Sequence, residues 1–244
     1  MDDRAKEIFD NLEAMKIEVD EPFQFGCKQC GKCCIHREDI LLNPKDIYNM
    51  SKELQISPAD LEKRYCEVYI GSDSRVPIVR LLPRGTVRRC PLLKNRRCMV
   101  HKAKPTVCAM FPIGRCLAAK NPEEGLKDIS EEQVQYIFMD PECGDKSETH
   151  TPREYLESFG IPVPDDFFLR WQNVVLRMGD TFRQLETKVK PEVMQQVWTV
   201  AFIGLYLHYE MEEEFMVQFE KNAEAFFKMV ESAIAEGGDN SKIK

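Results

Sequence analysis

From Ser74 through Pro122 the chain has no aspartate or glutamate, and after Cys143 it has no cysteine. The N-terminus lacks an apolar segment followed by a small-residue cleavage site, which argues against export and for the reducing cytoplasm. No apolar run suits a membrane. The longest, "VWTVAFIGLYL" at 197–207, has the length of a buried helix segment and falls short of the roughly 20 residues that a spanning helix needs. A Gly-rich nucleotide loop, an internal repeat and a low-complexity block are all missing, so nothing points to a P-loop, a solenoid or a disordered linker.

What is present is an ordinary globular composition, 43% hydrophobic and 31% charged over 244 residues. That is enough chain for one large domain or two small ones to bury a core without metal staples. All ten cysteines lie between Cys27 and Cys143. Thiols gathered in one half of a cytoplasmic chain point to metal binding or catalysis more than to disulfides.

The expected fold class is α+β, mainly helical: an N-terminal helix (1–22), a cysteine-cluster metal-binding domain with short strands and helices (23–150), and a helical C-terminal portion (151–244). Over residues 1–20, Ile8, Leu12, Met15 and Val19 recur near a helical period. Asn43 with Pro44, and Ser57 with Pro58 and Asp60, spell two helix starts. "VPIVRLLPRGTVRRCPLL" reads as a hairpin turning at "PRG" and ending in Cys90, and "QVQYIFM" at 133–139 as a strand. The polar "GDKSETHTPREYLESFGIPVPDD" reads as a boundary, within which Thr151, Pro152 and Glu154 open a helix that Gly160 and Pro162 stop. Beyond Asp165 helices are broken at Pro191. The stripe Phe167, Trp171, Val174, Val175, Met178 reads as core, and Glu210, Glu212, Glu213 and Glu214 as a solvated helix face.

"CKQCGKCC" holds the chemistry. Cys27 and Cys30 can converge on one ion through a tight turn, and Cys33 extends the same loop. Three converging thiolates with a remote fourth, often followed by proline, is iron–sulfur geometry, and "CP" occurs at Cys90. Zinc would favour a second close cysteine pair, whereas the downstream thiols stand singly. Cys34 must face away from Cys33, toward a second site or as a bridging ligand, and eight thiolates would complete two four-thiolate sites. His36 and His101 are left out as ligands, Cys66 reads as a small buried hydrophobe, and Cys116 lies between the two readings.

The acid-free stretch carries twelve cations, Arg75, Arg80, Arg84, Arg88, Arg89, Lys94, Arg96, Arg97, Lys102, Lys104, Arg115 and Lys120, against a net charge of -7 for the whole chain. Cations beside clustered thiols favour the thiolate and metal loading. They also suit an acidic protein or a small anion at the basic 74–122 segment. Phe111 is the one aromatic among them, which argues against nucleic acid as partner.

"CKQCGKCC", "LNPKDI", "RCPLL", "CMVHKAKPTVCAMFP" and "PECG" together resemble the YkgJ family, cysteine-cluster proteins described as zinc- or iron-chelating domains. The resemblance spans roughly residues 23–145 and implies metal-binding thiols at Cys27, Cys30, Cys33, Cys34, Cys90, Cys98, Cys108 and Cys143. His101 and Lys104-Pro105 stand where relatives usually have an aromatic and an Arg-Pro. The family includes flagellin lysine methylases, an activity that does not follow from the cysteines alone. The expected function is that of a cytosolic protein with one or two iron–sulfur clusters, of the 4Fe-4S type before others, in a redox or protein-modifying role. The alternative is a structural zinc-binding interaction module, and a thiol-nucleophile enzyme is a third reading.

Overall fold

The computed structural model describes residues 11–36, 40–119, 125–141 and 143–239. In chain order its strands are β1 (Lys16–Ile17), β2 (Phe23–Gly26), β3 (Leu41–Leu42), β4 (Cys66–Ile70), β5 (Pro77–Leu81), β6 (Leu93–Lys94), β7 (Arg97–Cys98), β8 (Ile113–Leu117), β9 (Val134–Phe138) and β10 (Asp145–His150). Its helices are α1 (Leu12–Met15), α2 (Pro44–Leu54), α3 (Pro58–Tyr65), α4 (Thr106–Met110), α5 (Pro152–Glu157), α6 (Asp166–Glu186), α7 (Pro191–Phe202) and α8 (Phe215–Asp239). The class is α+β with a helical C-terminal part, and no described helix is long and apolar enough to cross a membrane.

Cap chemistry sets the helix starts. Asn43 and Asp46 exchange side-chain-to-backbone bonds at the head of α2, with Pro44 in the first turn. Thr151 and Glu154 do the same for α5, and the Ser57 hydroxyl accepts from Asp60 N at α3. Gly160, with φ of +71°, follows α5 where a left-handed residue was expected.

All sheets are small and antiparallel: β1-β9-β8, β3-β5-β4, β10-β2 and β6-β7. They divide the interior in two. The larger core runs from Ile40 to Val230 and joins α2, α3 and the β3-β5-β4 sheet to α6, α7 and α8, with Phe182, Phe219, Met178 and Leu205 sealed inside. The smaller gathers Phe23, Phe25, Ile113, Tyr155 and Leu156 around the β1-β9-β8 and β10-β2 sheets.

Four expectations change. The N-terminal helix gives way at Met15 to β1, because Lys16 and Ile17 pair with Ile137 and Tyr136 on β9; its first ten residues lie outside the described ones. The hairpin at "PRG" shrinks to one bridge, Arg84 with Arg89, since β5 is already paired on both sides by β3 and β4. The polar stretch after Cys143 contains β10. The Glu210–Glu214 run is exposed but lies before α8, in the turn that the π-helical end of α7 (Ile203–Leu207) leads into. The stripe on α6 holds as core: Phe167, Trp171 and Met178 are buried, with Val174 and Val175 packed against them.

Candidate metal centre

Four separate backbone devices bring distant cysteines together. Cys27 follows β2 directly and Cys143 precedes β10, so antiparallel pairing, with Asp145 opposite Gly26, sets the two side by side. Cys90 N donates to the Cys34 carbonyl at 2.8 Å, which joins the second half of the loop to the remote "CP". The β6-β7 hairpin turns through Asn95 and Arg96, both left-handed at φ of +51° and +60° as a tight primed turn requires, and places Cys98 opposite Leu93. Cys108 is carried by α4, whose first residue is anchored when Thr106 donates from N and Oγ1 to Asp46 Oδ1 at 2.8 and 2.7 Å.

The loop itself depends on Gly31, at φ of +75°, which caps a single 3-10 turn over Lys32–Cys34. That turn sends Cys33 and Cys34 to different neighbours while leaving their sulfurs 4.0 Å apart.

The result is one partly open cavity of about 90 Å³ whose wall includes Cys27, Cys30, Cys33, Cys34, Cys90, Cys98, Cys108 and Cys143. Cys66, buried at the start of β4, and Cys116, bonded to the Gln135 carbonyl, lie elsewhere. The cavity occupies the seam between the two cores. Phe25, Phe111 and Tyr155 close it from the smaller one, the Tyr155 hydroxyl donating to the Phe111 carbonyl at 2.8 Å. Leu81, Leu92 and Val100 close it from the larger, against which Cys90, Cys98 and Cys108 also pack.

Electrostatic neighbours link the thiols through Cys33. Burial pushes Cys143 up to about 11, and the charges of Cys33, Cys30 and Cys27 add to it. Its hydrogen bond with Cys33 holds Cys34 far above the ordinary thiol range, with burial and then the charges of Cys33, Cys90 and Cys108 adding. Burial raises Cys90, which also feels Cys98 and Cys33, and raises Cys98, which feels Cys33. Cys143 thus neighbours Cys27, Cys30 and Cys33, Cys34 neighbours Cys90 and Cys108, and Cys33 acts on both groups. Cys27, Cys30 and Cys33 are exposed, whereas Cys34, Cys90, Cys98, Cys108 and Cys143 are half-buried.

Among the described residues no three Cys, His, Asp or Glu side chains stand close enough to hold one ion between them, so the thiols line a common wall without converging on a point. The chemistry of the wall nevertheless fits a soft cation. Its described donors are eight thiols and the His101 imidazole, with no carboxylate, while Lys28, Arg96 and Lys104 border it. Such a set suits zinc or iron held by thiolates and not calcium or magnesium. His101, set aside from the sequence, stands on this wall with its Nε2 3.5 Å from Gln29 Nε2; His36 is exposed beside the loop. Burial, then the Lys104 charge, lowers the His101 pKa, which keeps the ring neutral.

A thiol-lined seam between a small β-rich layer and a helical body defines a cysteine-rich metal-binding domain. Residues 26–144 match the CxxCxxCC family model, "Putative zinc- or iron-chelating domain", and that segment is similar to this family. Neither the curated proteins nor the solved structures contain a match.

Proposed function

We propose that the eight thiols hold two metal centres, an outer one at Cys27, Cys30, Cys33 and Cys143 and an inner one at Cys34, Cys90, Cys98 and Cys108, as iron–sulfur clusters of the 4Fe-4S type in a cytoplasmic redox or protein-modifying role. The observation that carries this reading is the single cavity: all eight cysteines of the family pattern border it, and the two outside the pattern do not. A cluster of this kind supplies one-electron transfer when bound.

The chain's own residues suggest a division of labour. Exposed Cys27 and Cys30 also border an open cleft of about 550 Å³ with Lys28, Arg96 and Arg97, a cationic rim suited to an acidic protein or a small anion. Phe25, Phe111 and Tyr155 keep water from the other side. The inner thiols lean on the larger core, as structural zinc ligands do, which favours zinc as the second reading for that set.

Single serine variants test the ligand sets. Cys30→Ser and Cys98→Ser are each expected to lose about half the bound metal, and Cys66→Ser none, measured by elemental analysis of purified protein. Equal metal loss in all three contradicts the assignment.

A further inference from the structure

Helix α4 has a second face. Cys108 borders the thiol cavity, while Thr106, Val107 and Met110 border another, a cleft of about 480 Å³ between α2, the start of β5, β8 and α6. Lys104 borders both. A volume of this size lies within the range of small-molecule sites, roughly 300–1,000 Å³.

Its lining is organised as cations on aromatic rings. Lys45 Nζ lies 5.5 Å from the centroid of Phe167, Lys104 Nζ 4.8 Å from that of Phe159, and the Arg115 guanidinium 3.6 Å from that of Phe168; all six border this cavity. The two carboxylates in the wall are already engaged. Asp46 accepts from Asn43 N, Thr106 N and Thr106 Oγ1, and Asp165 accepts from Arg115 Nη1 and Phe168 N. Among the described residues Lys45 and Lys104 have no carboxylate partner within ion-pair distance. Arg115, its side chain 5% exposed, keeps its Nε without a hydrogen-bond partner. Three cations over two engaged carboxylates leave one positive charge in excess, in a wall that combines apolar residues such as Trp171 with polar ones such as Asn49 and Gln172.

We propose that this cavity binds a small organic monoanion, a carboxylate on an aromatic or aliphatic body, with the carboxylate on Lys45, Lys104 and Arg115 and the body against the rings of α6. An inorganic anion would leave the apolar wall unused, and a neutral molecule would leave the half-buried Lys45 and Lys104 without a counter-charge. The site stands one short helix from the thiols and does not depend on which metal they hold.

Calorimetric titration of the metal-loaded full chain with hydrocinnamate, decanoate and the neutral hydrocinnamamide tests this. At least one carboxylate is expected to bind below about 1 mM, and the amide at least about tenfold more weakly than hydrocinnamate. Lys45→Gln, remote from the thiol wall, should weaken carboxylate binding about tenfold and leave the amide affinity and metal content unchanged. Lys104→Gln should weaken the carboxylate likewise, with circular dichroism confirming the fold. Absence of saturable carboxylate binding, amide binding equal to that of the acid, or unchanged carboxylate affinity in Lys45→Gln overturns the proposal.

Discussion

Gly144 follows Cys143 at φ of +78°, and a β-carbon there would stand 2.6 Å from Phe25 Cε2 and 2.7 Å from the Gly26 carbonyl oxygen. No side chain fits where two backbones approach so closely, and a left-handed φ adds its own strain. Gly144→Ala is expected to cost about 2–4 kcal/mol, read by chemical denaturation, and to displace Cys143 from the loop trio. A variant as stable as the parent would show that this backbone can move freely. Gly31 differs: its surroundings have room for a β-carbon, so its left-handed φ alone constrains it. At this scale the clustering of Cys27, Cys30, Cys33 and Cys34 on one loop was readable, because the C-x-x-C-x-x-C-C spacing is local. Their partition was not. Cys90 meets the loop through its bond to the Cys34 carbonyl, and Cys143 reaches it through a pairing across more than a hundred residues.

That pairing shows what element-level reading can and cannot find. β10, "DKSETH", is almost wholly exposed and has no alternating apolar face, so its strand character comes entirely from β2 beside it. Lys28 reinforces the junction through an ion pair with Asp145 at 3.0 Å. The helix starts at Asn43, Ser57 and Thr151 were readable because a cap is satisfied within four residues of itself. β1 was not, since its partner lies on β9. Asp165 joins both kinds of information: it caps α6 through Phe168 N and pairs with Arg115 of β8, the two side chains only 8% and 5% exposed. Removing it strips the cap and leaves a buried guanidinium without its counter-charge. Asp165→Ala is expected to cost about 3–5 kcal/mol, and Asp165→Asn less, because the cap survives. Equal stability of Asp165→Ala and the parent would mean that solvent reaches Arg115.

At the scale of the whole molecule, the charge segregation of the sequence becomes attachment. Cations of the acid-free segment reach acids beyond residue 150, Arg75 to Glu186 and Arg115 to Asp165, so part of the basic excess ties the thiol-bearing half to the rest of the fold, while Arg80 pairs with Glu67 inside that half. The larger core does the same with apolar surface. Residues before and after position 150 share it, although the family segment ends at residue 144. A chain ending at residue 150 is therefore expected to show no cooperative unfolding transition and to lose its metal. A cooperative melt with full metal content would establish the cysteine-bearing part as self-sufficient. The central claim, that two sets of four thiols hold iron–sulfur clusters, is tested most directly by iron, zinc and acid-labile sulfide analysis with an absorption spectrum on anaerobically purified protein. The expected result is about eight iron and eight sulfide per chain with a brown chromophore bleached by dithionite. A colourless protein with stoichiometric zinc and no labile sulfide would contradict it.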